Sequence, residues 1–432
     1  MIHKSSVRSS YLRPACVVLG TLALAGCAGQ GPGQILGAAP PVGGVAQPLG
    51  AGPVIGKTGG NVALLVPLTG PMAPYGQVLE NAAKLVFPAG ASPSLDVRDT
   101  DGTPQGAAAA AQAAIAAGDG IILGPLTSPE AHAVAPIATA AGVNVLSFTN
   151  DTTVAAPGIW PLGISPRQQV DRVLEVAGGQ GRTQVAALLP DTDFGRQLGS
   201  DISAESARLS EPSPQIVFFD QDFNSVNQAV REISDFASRG EEIENQIRRA
   251  RDLDTAAGRE QARALEHQQI PPPPFNALFI GATGADALAE FATFLPYYDV
   301  NQPQVQFLGP ALWAPLATEM AHQPVLLGAI YAAPDPAAAA AFNTKYQQTY
   351  GAPPPSIANL GFDAAAIAKL AASQGSYTTS VLTAPAGFTG TDGALVLEPN
   401  GQVQRGLAVF QVAPGAPTVV APAPTQLSPP VG

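Results

Sequence analysis

The chain has 432 residues and a formal net charge of -12, with only 12% charged residues beside 45 glycines and 43 prolines. That length accommodates two lobes with substantial cores, and the low charge content excludes a charged disordered chain. Neutralising nucleic-acid phosphates requires a basic face, and this acidic chain offers none.

In chain order, residues 1–26 read as a signal peptide and are set apart from the fold. His3, Lys4, Arg8 and Arg13 give a basic start, followed by the apolar run "ACVVLGTLALAG", too short to span a bilayer comfortably. The run ends in Leu24-Ala25-Gly26-Cys27, small residues directly before a cysteine, which resembles a bacterial lipobox. The resemblance implies that Cys27 is lipidated and begins the mature chain; a plain secretory signal with an incidental cysteine is the alternative. The other cysteine, Cys16, lies in the removed segment. The mature body therefore has no disulfide, cysteine nucleophile or thiolate metal site. Residues 27–60 form a flexible Gly/Pro tether. Ala28 is not the acidic residue associated with inner-membrane retention, so the expected anchor is the periplasmic side of the outer membrane, with the inner membrane's periplasmic face as the alternative. "AGPVIGKTG" in the tether approximates a phosphate-binding loop, but Ala51 replaces its first glycine and a strand follows instead of preceding it.

From Asn61 strand-like and helix-like segments alternate. "NVALLVPL" precedes a helical pattern over Tyr75 to Val86, and "SLDVRDTD" an Ala-rich helix, Pro104 to Ala117. Ile121 to Leu123, a helix over Pro129 to Ala141 and "VNVLSF" follow. The alternation predicts an α/β fold with parallel sheets covered on both faces and ligand-binding loops along one edge. It restarts after "WPLGISPRQQ" with a helix at 168–178, and "QVAALLP", "PQIVFF", "FNALFIG" and "VQFLGP" as strands. This divides the body into lobe 1 (61–163 and 333–385) and lobe 2 (164–332 and 386–414), with a disordered tail at 415–432. The segment 228–270 departs from the pattern: Arg231 to Glu266 holds 7 Arg and 9 Asp/Glu. It reads as a solvated helical hairpin inserted in lobe 2, or as a docking surface for a protein partner, ended by "IPPPP".

These segments together resemble the type I periplasmic-binding fold, in its Leu/Ile/Val-binding subclass. The residues that carry the resemblance are "VALLVPLTGPMAPYG" and "ILGPLTSPE". Within the subclass, "LSFTND", "PLGISPRQQV", "LPYYDV…VQFLGPALW", "GTDGALVLEPNGQVQRGLAVFQV" and the charged insert look most like the penicillin-binding protein activator group. The resemblance covers about Asn61 to Val412. It implies two doubly wound parallel-sheet lobes joined by three hinge crossovers, closing over a ligand in the cleft between them.

In amino-acid-binding relatives the equivalents of "GPLTS" and "SFTND" hold a ligand carboxylate, which points here to Thr127, Ser128, Ser147, Thr149 and Asn150. Free N–H groups at a helix N-terminus favour an anion, although Ser, Thr and Asn are equally preferred there as simple caps. Thr69, Tyr75, Phe194, Thr283 and Trp313 complete the candidate cleft set. The second lobe departs from the amino-acid binders. "LGPALW" has Ala311 and Leu312 where an acidic residue would meet the ligand ammonium, and "DTDFGRQ" has Phe194-Gly195 for Tyr-Gly. An α-amino group buried without a carboxylate is left uncompensated. Asp191, Asp193 and Asp286 are possible substitutes that read better as surface or cap residues.

Catalytic patterns are weak. Ser128 and His132 sit one helical turn apart with no evident acidic orienter. His267 and His322 are scattered, no metal-ligand spacing is present, and no cofactor is expected. The sequence reads as a non-enzymatic, periplasm-facing lipoprotein. Its resemblance implies regulation of a peptidoglycan synthase of the penicillin-binding class; the alternative is a receptor feeding an ABC importer of branched-chain amino acids or similar small molecules.

Overall fold

The computed structural model describes residues 56–427 except 58, 267 and 269. The signal segment with Cys16, the lipidation candidate Cys27, nearly all of the tether, His267 and residues 428–432 lie outside the described residues.

Lobe 1 is built from β1 (Val62–Val66), α1 (Ala73–Val86), β2 (Leu95–Asp99), α2 (Pro104–Ala117), β3 (Ile121–Leu123), α3 (Ser128–Ala141), β4 (Asn144–Ser147) and β5 (Ile159–Pro161). Its five strands form a wholly parallel sheet in the order β2-β1-β3-β4-β5. β1, β3 and β4 are buried from end to end, as strands covered on both faces must be.

Lobe 2 begins with α4 (Pro166–Gly179), β6 (Val185–Pro190), α5 (Asp193–Arg208), β7 (Gln215–Phe219) and α6 (Phe223–Ile233). Then come α7 (Phe236–Arg239), α8 (Glu241–Asp252), α9 (Ala256–Glu266), β8 (Ala277–Ile280), α10 (Ala285–Tyr297), β9 (Gln306–Gly309), α11 (Ala317–Met320) and β10 (Ile330–Ala333). The chain returns to lobe 1 through α12 (Ala340–Tyr350), α13 (Ala358–Ser373) and α14 (Thr379–Leu382). It ends in β11 (Phe388–Gly390), β12 (Gly393–Leu397), β13 (Val403–Arg405), β14 (Ala408–Gln411) and β15 (Thr418–Ala421). The second sheet has seven strands, β15-β14-β10-β9-β8-β6-β7, with β14 and β15 antiparallel. Threonine, serine or aspartate side chains cap α2, α3, α4, α5 and α6, so the turn residues that follow the strands also start the helices.

Each sheet carries a core on both faces, with α13 packed beside β1 and β3 in lobe 1. The architecture is α/β with two doubly wound lobes and three crossovers, near 162–165, 334–339 and 406–407.

Three boundaries differ from the sequence reading. Residues 386–405 do not join lobe 2: β11–β13 form their own antiparallel sheet, and Leu395, Leu397 and Val403 pack into the first-lobe core with Val62 and Ala368. Alternating apolar residues in "ALVLEP" mark a half-buried strand without saying against which lobe. The tail assigned to 415–432 contains β15, whose backbone pairs with β14; composition alone cannot register that pairing. The insert begins later than 228, because α6 buries Val226, Ala229, Val230 and Ile233 in the second core. The charged hairpin proper is α8 and α9, in which Ala250, Gly258 and Ala262 are the buried residues.

The first and last crossovers are joined by buried and half-buried polar contacts. Arg405 Nη2 donates to the Leu162 carbonyl at 2.7 Å, and Gln168 Nε2 to that of Val403 at 2.5 Å. Trp160 Nε1 donates to the Glu398 carbonyl at 2.8 Å, and Arg172 Nε to that of Leu407 at 3.0 Å. Beside them Asp363 of α13, 2% exposed, accepts at Oδ1 from the Thr391 N–H (2.7 Å) and hydroxyl (2.9 Å).

Burial pushes the Asp363 carboxyl up to about 6, with Asp392 reinforcing and the Thr391 hydrogen bonds opposing. The unfolded value is about 3.9, so the folded state keeps a proton that the unfolded state has lost. Stability contributed by this group is therefore present at low pH and lost as pH rises through the window from about 4 to about 6. Asp363→Asn keeps the Oδ1 acceptor and removes the buried charge. It should melt higher than the parent at about pH 8 and match it at about pH 4, as read by circular dichroism.

Candidate functional site

The loop between β3 and α3 turns at Gly124, whose φ is +87° and where an added Cβ would lie 2.2 Å from the Leu65 carbonyl oxygen. Only glycine fits. Pro125 and Leu126 then bring the chain to Thr127, the N-cap of α3.

Glu130 governs this helix start. It is fully buried, and its Oε2 accepts from the Thr127 N–H (2.9 Å) and hydroxyl (2.7 Å). Its Oε1 accepts from the Thr100 hydroxyl at 2.6 Å. The Thr127 side chain in turn accepts from the Glu130 N–H, completing a capping box. A carboxylate of the chain itself thus sits beside the N-terminus of α3, which is where a ligand anion would gain most.

The neighbouring hydroxyl is also committed. Ser128 Oγ donates to Asp151 Oδ2, and Asp151 Oδ1 accepts from the Thr153 N–H (2.9 Å) and hydroxyl (2.6 Å). Burial pushes the Asp151 carboxyl up, but the Ser128 and Thr153 hydrogen bonds, helped by His132, outweigh it and hold the group below the usual carboxylate range. His132 Nε2 lies 3.5 Å from Asp151 Oδ2 and 3.2 Å from Thr153 Oγ1. An acid therefore does stand between Ser128 and His132, where the sequence showed none. The order is wrong for nucleophilic catalysis: serine donates to the carboxylate, whereas activation requires serine on the imidazole and imidazole on the carboxylate.

Around this edge lies an open cavity of about 460 Å³, lined by Met72, Leu126, Thr127, Ser128, Phe148, Thr149, Asn150, Gly163, Ile164 and Leu360. Four of the ten candidates, Thr127, Ser128, Thr149 and Asn150, meet here. Thr149 is buried, and its Oγ1 accepts from the Asp151 N–H at 3.1 Å. Asn150 is exposed. Met72, Leu126, Phe148, Ile164 and Leu360 give the cavity apolar walls.

The other six candidates lie outside that lining. The Ser147 hydroxyl is buried and donates to the Pro125 carbonyl at 3.3 Å. Thr69 Oγ1 binds Asp99 Oδ2 at 2.6 Å and Asp101 Oδ1 at 3.0 Å. Tyr75 and Thr283 are exposed, and Phe194 packs on the second-lobe core. At the following Gly195 a Cβ would fall 1.9 Å from the Pro190 carbonyl oxygen, so the Phe-Gly pair serves the contact of α5 with β6. Trp313 is fully buried, donates from Nε1 to the Ala282 carbonyl at 2.8 Å and lies over Gly309. It is a core residue, and its apolar bulk explains its place better than any ligand contact. Asp191 and Asp193 are exposed and ion-paired to Arg196, and Asp286 is exposed in the first turn of α10.

The spacing Thr127-Ser128-Pro129-Glu130 already spells the capping box. Asp151 could be seen only as part of an amide-rich loop, since its partner Ser128 is 23 residues away. Among the described residues no group of three or more His, Cys, Asp or Glu could hold a metal ion, and no helix is long and apolar enough to cross a membrane.

Thr127→Ala should lower unfolding stability by about 1 kcal/mol. Glu130→Ala, which strands the buried Thr100 hydroxyl and the half-buried Thr127 N–H and hydroxyl, should cost about 1–3 kcal/mol. Urea titration reads both. A Glu130→Ala protein as stable as the parent would contradict the role assigned to this carboxylate.

Residues 61–232 match the family model described as periplasmic binding protein. An uncharacterised protein of Rickettsia prowazekii is 24% identical over 177 residues, 41% of this chain and 47% of that protein, so the match spans less than half of the curated relative. Among solved structures, the C-domain of Haemophilus influenzae LpoA, a regulator of PBP1A, superposes with a TM-score of 0.60 at 16% identity, covering 84% of this chain and 100% of that domain. Full-length LpoA gives 0.62, covering 85% of this chain and 60% of LpoA. A putative branched-chain amino acid ABC transporter protein of Rhodospirillum rubrum gives 0.63 at 18% identity, covering 84% and 100%. The fold is the type I periplasmic-binding fold shared by these proteins.

Proposed function

We propose that this chain, a type I periplasmic-binding fold, is a non-enzymatic, periplasm-facing protein that binds and regulates a peptidoglycan synthase of the penicillin-binding class. The observation that carries the reading is the closed N-terminus of α3. Its hydroxyls are used by Glu130 and Asp151, and a carboxylate-bearing ligand placed there would meet two like charges. The position that would anchor an amino acid is thus occupied by the protein itself. The likeness to the LpoA C-domain, over nearly all of the described chain and the whole of that domain, supports the same reading.

The charged hairpin of α8 and α9 suits a protein-binding face. The exposed Arg231–Glu241, Arg249–Glu242 and Arg251–Glu266 pairs display charges of both signs on and beside it, and Leu253 is 60% exposed at its turn. On this reading Cys27 carries a lipid anchor and the tether lets the lobes reach a synthase at the wall.

The second reading, a receptor for an ABC importer, is favoured by the apolar walls of the open cavity and by the likeness to the Rhodospirillum rubrum protein. A neutral or aromatic apolar solute suits those walls better than an amino acid.

Affinity capture of a penicillin-binding synthase should succeed with the full chain and fall at least tenfold when residues 241–266 are replaced by a short Gly-Ser link. No capture by either protein removes the regulatory reading. Calorimetry against leucine, isoleucine, valine and muropeptide fragments should give no amino-acid affinity tighter than about 1 mM. Micromolar leucine binding would put the receptor reading first.

A further inference from the structure

Among the described residues, strand β7 ends the second sheet and has only β6 beside it. The Phe219 carbonyl accepts from the Asp191 N–H at 2.8 Å, on the β6 side. Alternation along the strand therefore turns the backbone N–H and C=O of Ile216 and Phe218 away from β6. The open stretch is bounded: Pro214 before it has no N–H, and the Asp220 N–H after it donates to Ser225 Oγ at 2.9 Å. The Ile216 and Phe218 side chains lie together over Gly199 of α5, with Phe218 43% exposed.

Natural sheet edges are protected by a charge, a proline or a bulge within the strand, or by a covering element. Gln215-Ile216-Val217-Phe218-Phe219 contains no charge and no proline, and its register with β6 is unbroken. Pro212 to Phe219 carries no charge in a chain of net charge -12. Copies of so acidic a protein repel one another in general, but here two copies meet with no like charges opposed.

We propose that β7 pairs antiparallel with β7 of a second copy about a two-fold axis through Val217, joining the two second-lobe sheets into one. The two open residues are spaced two apart, so the two-fold sets Ile216 of each copy opposite Phe218 of the other. Both pairs exchange two N–H···O=C bonds. The match is self-complementary, and each exposed Phe218 gains the apolar surface of Ile216 from the other copy. A foreign strand would have to supply that alternation itself.

Sedimentation equilibrium tests the proposal on the full-length chain carrying Cys16→Ser and Cys27→Ser, which removes competing thiols and any lipid anchor. The expected result is a monomer–dimer equilibrium with a midpoint at about 10 µM, in keeping with a small interface. Ile216→Pro deletes an outward N–H and leaves the β6 ladder intact. It should weaken the dimer at least tenfold while shifting the melting temperature by no more than a few degrees; Phe218→Lys should do the same through its charge. Val217→Cys should oxidise to a covalent dimer, because residues facing each other at such a two-fold have Cα atoms about 4.5 Å apart, within disulfide range. A monomer at about 200 µM, a dimer insensitive to both substitutions, or no cross-link at residue 217 overturns the proposal. A persistent monomer would leave the edge to a strand of a different protein.

Discussion

The joint between the two lobes depends on one buried guanidinium and the single carbonyl it reaches across the crossovers. Arg405, with a side chain 1% exposed, ties the last crossover to the first through the Leu162 carbonyl and faces Asp392 at 3.8 Å. A buried cation is tolerable only where an acceptor or counter-charge meets it; the Leu162 carbonyl and Asp392 that serve Arg405 come from segments more than two hundred residues apart, while its Nε and Nη1 have no hydrogen-bond partner among the described residues. The Gln168 and Trp160 contacts reach the same C-terminal segment from the first crossover. The small β11–β13 sheet thus holds the hinge together while packing on the first lobe. Without that sheet the crossovers would be three separate strings joining two independent sheets.

The same economy of charge shapes the cavity. At the N-terminus of α3 the protein uses its own acids, Glu130 and Asp151, to satisfy the groups that a bound anion could otherwise use. Hydroxyl-rich loops beside strands can therefore mean two opposite things. If their donors are free they attract a carboxylate; if internal acids occupy them they repel one. What then decides the ligand class is which donors remain free, and here the apolar wall of Met72, Leu126, Phe148, Ile164 and Leu360 faces the cavity instead.

The second lobe presents two surfaces of contrasting chemistry. The α8–α9 hairpin is charged and cross-braced by ion pairs, each of small value in water, so its shape is set by helix packing and its specificity by the charges it displays. The β7 edge is neutral and offers backbone hydrogen bonds in place of charge. Long-range charge attraction orients a partner on the first kind of surface; pairing register selects it on the second.

Local physics made much of this fold legible in the sequence. Short apolar runs alternating with capped helical stretches specify parallel strands covered on both faces, and Thr127 with Glu130 spells a helix start within four residues. The charge density of the insert marks a solvated hairpin because a helix with so few apolar residues cannot be buried. The tertiary structure alone decided what depends on distant segments meeting. It placed "ALVLEP" against the first lobe, sent Trp313 into the core and paired β15 with β14. It also brought Asp151 back to Ser128, so that a serine with the look of a ligand group is occupied. Periodicity reports how much of a segment is buried; what it is buried against follows from the return path of the chain, which no local pattern encodes.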